Sequence, residues 1–300
     1  MGRTWSDDRT PVSPDGRLGP ARRHPGRSDP RYLRRREAIV AAARGHRLGD
    51  PSPPVVYTPA EQATWRTVCA ALTAAHREHA CRALLSAWAE AGIPAERIPQ
   101  HREVSARLAE RTGFRLTPAG GVVPNRLFLG ALEHGYFHAV QFVRHPALPL
   151  YTPEPDVIHD VLGHGLHLVS PEFAELYRAV GRAANRVRTP EALDLVNRVY
   201  WFTLELGVVQ EAGGIRAFGA ALLSSYGELA ALHRCRVREL DIRAMATARY
   251  PLTGYQPVLF AARSLDHLRD VLLPFLAEFD EDTGRRLGIT APPRVRVSGC

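Results

Sequence analysis

Lysine is absent from this 300-residue chain, so all 39 basic side chains are arginine, a pattern that reads as genome composition and not as a selected binding surface. Cysteine is scarce too: Cys69, Cys81, Cys235 and Cys300 show no CxxC pair and no disulfide-dense spacing. With no secretory apolar segment either, this argues for a reducing cytoplasm and against a disulfide-stapled extracellular scaffold. No uninterrupted apolar run reaches the roughly 18 residues that a membrane span needs, so no membrane role is expected. The chain has neither G-x-G-x-x-G nor a Walker loop, which removes the usual nucleotide sites, and it has no visible internal repeat.

The formal charge of +8 suggests nucleic acid until it is mapped along the chain. Residues 1–50 hold twelve arginines against six acids, and the remaining 250 residues are nearly neutral. The basic pI therefore says little about the folded part, and no nucleic-acid partner is expected. From Met1 to about Pro54 the chain is rich in Arg, Pro, Gly and Asp, with apolar periodicity only in the short possible helix "YLRRREAIVAAARG". Residues 1–54 read as a mostly disordered tail, 55–290 as one folded domain and 291–300 as a C-terminal tail. A 45% apolar content is enough for a sizeable core.

The texture changes at Tyr57. "TPAEQATWRTVCAALTAAH" offers Thr58 as N-cap, Pro59 at the first helical position and Glu61 at the third, followed by apolar residues at helical spacing. Similar stretches lie near 80–92, 101–112, 171–184, 191–209, 218–233 and 264–278, whereas β-branched or aromatic runs are confined to "GFRLTPAG", "AVQFVRH" and "PPRVRVSG". The fold class expected is mainly α with a few short β-strands.

The stretch "YTPEPDVIHDVLGHG" carries His159 and His164, five positions apart. On an ideal helix these would stand about 140° apart, unlike the i, i+4 pair of H-E-x-x-H zinc enzymes. Both can reach one metal only if the helix is distorted or ends between them, and Gly163 is where that could happen. Thr152 can cap the helix, with Pro153 and Pro155 in its first turn. If the metal is iron(II) in a facial triad, the two imidazoles call for an anionic third ligand. Glu205, in the breaker-free "VYWFTLELG", sits among Trp201, Phe202, Leu204 and Leu206 and needs a partner to stay ionised. A metal or an arginine could be that partner, and spacing alone leaves both open.

"TGFRLTPAGGVVPNRLFLGAL", "QFVRHPALPLYTPEPD", "YTPEPDVIHDVLGH", "VYWFTLELG" and "AFGAALLSSYGEL", in the family's order and spacing, resemble the catalytic domain of the tetrahydropterin-dependent aromatic amino acid hydroxylases, above all those acting on phenylalanine. The resemblance runs from about Tyr57 to about residue 278. It implies that His159, His164 and Glu205 bind iron(II), and that a tetrahydropterin stacks on Phe128, with Gly121, Val123 and Asn125 in the same loop and Asp160 and Tyr200 nearby. It implies further that Arg144 holds the substrate carboxylate, oriented by Glu228, that Ser224 and Thr152 add hydrogen bonds, and that His138 and Trp201 wall the ring. The partners implied are small molecules: an aromatic amino acid and oxygen, with pterin-recycling enzymes acting indirectly. A monomer is expected.

Several positions depart from the family pattern. Trp201 favours phenylalanine or tyrosine over tryptophan, and the apolar Leu252 favours phenylalanine over tyrosine. Leu206 and Ala221 stand where most phenylalanine 4-hydroxylases have Phe and Gly, and they are expected to border the ring pocket. A shift of about 1 Å there changes the outcome. "GHGLHL" replaces the usual "GHVPLL", so that His167 and Gly165 are expected to alter the pocket's shape. The first expectation is conversion of L-phenylalanine to tyrosine. The alternatives are meta-hydroxylation, action on tryptophan, and, in another class, a zinc hydrolase using the same ligands.

Overall fold

The computed structural model describes residues 25–250 and 255–289. The first long helix, α1 (Pro30–Ala43), starts where Asp29 accepts the N–H groups of Arg31 and Tyr32 and Pro30 occupies a position whose N–H would be unpaired anyway. It lies within the segment 1–54 that was expected to be mostly tail, at the one place where a short helix was read. Ile39, Val40 and Ala43 are buried, and Ile39 and Val40 share a small core with Val55, Val123, Leu127 and Phe142. Arg36 is buried as well, ion-paired to Glu154 and lying 3.8 Å over the Phe142 ring. The short helix read in "YLRRREAIVAAARG" is thus present and carries this apolar face. The segment 291–300 lies outside the described residues.

Helix α2 (Pro59–His79) begins with the expected reciprocal cap: Glu61 N–H donates to Thr58 Oγ1, and Thr58 N–H donates to the Glu61 carboxylate. Two short turns, Arg82–Leu85 and Ala87–Ala91, fill the helical stretch expected at 80–92. Then come α3 (His101–Arg111), β1 (Arg115–Ala119), α4 (Asn125–Glu133) and β2 (Tyr136–Val140). Strands β1 and β2 pair in parallel, with Thr117 opposite His138. The strand expected at 139–145 thus overlaps β2 only at Ala139 and Val140, and "PPRVRVSG" lies outside the described residues.

The middle of the chain is helical. Helix α5 (Val157–His159) passes into a π turn over Asp160–His164 and a last α turn over Gly165–Leu168. Helix α6 (Pro171–Arg186) buries Phe173, Leu176, Tyr177, Val180, Ala183 and Ala184, spaced for one face, and packs along α4. Each large apolar side chain so buried contributes about 1.5–3 kcal/mol. Helix α7 (Pro190–Tyr200) continues into a second π turn, Trp201–Glu205.

The hairpin of β3 (Val208–Glu211) and β4 (Gly214–Ala217) leads to α8 (Ala220–Leu223) and α9 (Tyr226–Ala231). Strand β5 (Arg236–Glu239), α10 (Ile242–Thr247), β6 (Val258–Ala262), α11 (Leu265–Ala277) and α12 (Thr283–Arg286) follow. Strands β3 to β6 form one sheet in the order β4-β3-β6-β5, which the sequence did not reveal because strands of four or five residues carry too little alternation. The mainly α expectation matches the fold. Among the described residues, no helix is long and apolar enough to cross a membrane.

Candidate metal centre and substrate pocket

Both segments that carry the expected metal ligands are π turns. Gly165 N–H donates to Asp160 C=O, and Leu206 N–H donates to Trp201 C=O at 3.1 Å, each bond closing over five residues instead of four. Such a ladder sets residues five apart on one side of the helix, which is how His159 and His164 come to face one point. Gly163 lies within the first π turn, where the distortion was expected. Its φ is outside the left-handed region, and a Cβ there would lie 2.5 Å from the carbonyl oxygen of Ala220, so glycine lets α8 pack directly on the turn. The helix cap differs from the one expected: Asp156 accepts the His159 N–H at 3.1 Å, and Thr152, Pro153 and Pro155 lie in the loop before the helix.

His159, His164 and Glu205 each offer one donor atom, all within 4.8 Å of one another. The two Nε2 atoms are 3.0 Å apart, and Glu205 oxygens lie 3.1 Å from His164 and 3.7 Å from His159. Ser224 Oγ donates to the Ala220 carbonyl at 2.9 Å and accepts from His159 Nδ1–H at 2.8 Å. Tyr177 accepts from His164 Nδ1–H at 2.7 Å. With both Nδ1 atoms protonated, two Nε2 lone pairs and a carboxylate converge in a buried space, an arrangement that a cation relieves. A donor set of two imidazole nitrogens and one carboxylate oxygen suits iron(II). Burial lowers His159 to about 4, which keeps it neutral.

Asp160 accepts the Val140 N–H at 2.7 Å, and its burial raises the carboxyl well above the usual carboxylate range. Phe128, half-buried on α4, meets Phe137 and Tyr200 edge to face at 5.3 and 5.6 Å, and Phe137 in turn lies 4.4 Å from His164. In the loop before α4, Gly121 has φ 146°, a conformation that favours glycine; Val123 is buried and Asn125 is exposed. Phe128 and Tyr200 thus share a cluster of rings that reaches His164 through Phe137, Asp160 opens the first π turn, and Gly121, Val123 and Asn125 lie in the segment between β1 and the start of α4.

Arg144 is held by Asp156: Nε and Nη2 each meet a carboxylate oxygen at 2.9 Å, and the Arg144 N–H adds a third bond at 2.8 Å. Glu228, the expected orienting group, has other partners, accepting the Gln256 N–H at 3.1 Å. Ser224 differs too, because its hydroxyl is committed to His159 and α8, and Thr152 Oγ1 donates to the Glu154 carbonyl in its own loop. His138 and Trp201 are half-buried, each with one ring nitrogen, Nδ1 and Nε1, that is inaccessible and without a hydrogen bond. Trp201 stacks on Tyr250 at 5.1 Å. Leu206 directly follows Glu205 and is buried, Ala221 precedes Ser224 by three residues, and Leu252 lies outside the described residues. His167 is turned away from the triad, with Nε2 on the Phe218 carbonyl and Nδ1 on the Tyr177 hydroxyl.

Sequence reasoning missed Asp156 and Tyr177. An Asp three residues before a candidate ligand and directly before a helix is an N-cap signal that could have found the first. Tyr177 lies thirteen residues beyond His164, with no local pattern to mark it.

The family model for biopterin-dependent aromatic amino acid hydroxylases matches residues 18–286. A phenylalanine 3-hydroxylase of Streptomyces coeruleorubidus is 44% identical over 260 residues, covering 87% of this chain and 93% of that protein. Tyrosine 3-monooxygenase of Bos taurus is 39% identical over 87% of this chain, which spans 56% of that longer protein. Among solved structures, phenylalanine hydroxylase of Chromobacterium violaceum with bound iron(III) and 7,8-dihydrobiopterin superposes with a TM-score of 0.71 at 26% identity, over 79% of this chain and 85% of that one.

Proposed function

The chain belongs to the biopterin-dependent aromatic amino acid hydroxylases, and on that premise we propose that it hydroxylates the ring of free L-phenylalanine at the meta carbon. The observation that carries the regiochemistry is the 44% identity with a phenylalanine 3-hydroxylase along nearly its whole length, together with Leu206 and Ala221 beside the metal-ligand segments. This replaces para-hydroxylation as the first expectation. The family match sets aside the zinc hydrolase.

His159, His164 and Glu205 would hold iron(II), which when bound supplies, with a tetrahydropterin, the activation of oxygen for attack on the ring. The chain's own residues do the rest. Arg144, its guanidinium plane fixed by Asp156, pairs with the substrate carboxylate. Phe128 offers a ring face for the pterin, flanked by the loop of Gly121, Val123 and Asn125, while Asp160 and Tyr200 line the side toward the triad. His138 and Trp201 wall the substrate ring, and Leu206 and Ala221 decide which ring carbon stands over the metal. A buried, apolar surround excludes water from the reaction.

The experiment supplies purified protein with iron(II), tetrahydrobiopterin, oxygen and L-phenylalanine and separates meta- from para-tyrosine by chromatography. Meta-tyrosine is the expected product; para-tyrosine as the main product would overturn the regiochemistry. A cytoplasmic location fits Cys69, Cys81 and Cys235, which are free thiols, and a monomer is the state to be checked by light scattering.

A further inference from the structure

Tyr177 on α6 and His167, three residues after the second ligand, are wholly buried and have no part in the chemistry above. Their hydrogen bonds nevertheless have a single direction. The Phe218 carbonyl can only accept, so the His167 Nε2 that meets it carries the proton. His167 Nδ1 is then an acceptor, and the Tyr177 hydroxyl donates to it at 2.8 Å. Having given its proton away, the phenol oxygen faces His164 Nδ1 at 2.7 Å as an acceptor. The sequence of bonds ends with the lone pair of His164 on Nε2, the atom 3.1 Å from Glu205.

The parts of this relay are fixed from outside. The His167 ring lies flat on Phe173, with centroids 4.4 Å apart and planes at 4°. Phe218 N–H donates to the Gly207 carbonyl at 3.0 Å, two residues past Glu205, so the carbonyl that starts the relay is tied to the segment bearing the third ligand. Six residues after Phe218, Ser224 performs the same service for His159. One short stretch, 218–224, thus orients both imidazoles.

We propose that His167 and Tyr177 are positioning residues that hold His164 as the Nδ1–H tautomer and so present Nε2 to the metal, an inference that rests on the iron(II) reading of the triad. Partners of this kind are worth about ten- to a hundred-fold in metal affinity.

The test titrates cobalt(II), a coloured stand-in for iron(II), into metal-free wild type and into Tyr177→Phe, His167→Leu and His167→Gln. Tyr177→Phe removes a single oxygen and keeps the packing. It and His167→Leu are expected to bind cobalt about ten- to a hundred-fold more weakly, with a shifted visible spectrum. His167→Gln, which keeps a donor and an acceptor on one planar group, retains most of the affinity. Spectra of ¹⁵N-histidine-labelled, metal-free protein should report Nδ1–H at His164 in wild type and a tautomer mixture in Tyr177→Phe. Unchanged affinity and tautomer in Tyr177→Phe would overturn the relay and leave the iron reading standing, and equal losses in the Leu and Gln variants would reduce His167 to packing and overturn its part. Failure of wild type to bind cobalt at one per chain would remove the iron reading and the relay together.

Discussion

Asp156 joins the substrate clamp to the metal centre: its two carboxylate oxygens each meet the Arg144 guanidinium at 2.9 Å, and one of them also accepts the His159 N–H at 3.1 Å. Both side chains are almost fully removed from water. Removing one partner of a buried pair leaves an uncompensated charge and costs about 3–5 kcal/mol. Asp156→Ala should therefore lower stability by that order, and the milder Asp156→Asn should raise KM for the amino acid far more than KM for the pterin. Steady-state kinetics with each substrate varied in turn would check this; an unchanged amino acid KM would refute it.

The buried ion pair of Arg36 and Glu154 ties α1 to the loop that leads into Asp156. Tyr32 adds a bond from its hydroxyl to the Val143 carbonyl at 3.0 Å. Arg36→Ala should cost about 3–5 kcal/mol in a urea melt, for the same reason of an unpaired buried charge. Deleting residues 1–44 should give an unstable protein, because Ile39, Val40 and Ala43 leave the core. Full stability and activity in the deletion would show α1 to be dispensable.

Gly163→Ala places a methyl 2.5 Å from the Ala220 carbonyl oxygen. Overpacking of this kind costs about 1–3 kcal/mol. Since Ser224 hangs on α8, the displacement should also weaken metal binding, and the comparison is with Gly165→Ala, whose added methyl has only the Asp160 carbonyl oxygen, at 3.7 Å, within contact distance. Equal metal affinity in the two variants would show that the approach of α8 does not govern the site.

Leu206→Phe combined with Ala221→Gly should move product from meta- toward para-tyrosine, because a larger ring on one side and a lost methyl on the other displace the substrate by the order of 1 Å, enough to change which carbon reacts. Chromatographic product ratios measure this directly. A double variant that still makes only the wild-type isomer would place the regiochemical control elsewhere.

Acid should destabilise the fold at a pH above the ordinary carboxylate range. Burial lowers His101 and His138 to about 4 in the folded protein, whereas a histidine in the unfolded chain titrates near 6.5. Between these values the unfolded chain binds more protons, so stability is full above about 6.5 and falls as pH drops toward 4, by up to about 3 kcal/mol per histidine. Urea midpoints from pH 7.5 to 4.5 test this, and His101→Leu should flatten the decline; a pH-independent midpoint in wild type would refute it.

The sequence by itself determined the mainly α class and the capped start of α2, and its resemblance to a family pointed to His159, His164 and Glu205 as donors, because caps, helical periodicity and short motifs are local and act within a turn or two of the chain. It also marked the conflict at His159 and His164, which no ordinary helix could resolve. Tertiary structure decided what resolves it: two π turns, a glycine pressed against Ala220, and tautomers set by Ser224 and Tyr177. The burial of Arg36, the choice of Asp156 over Glu228 as the partner of Arg144, and the four-stranded sheet were likewise decided there. In each case the contact joins segments whose separation in sequence carries no periodic trace, and the free energy that selects it comes from burying both partners at once.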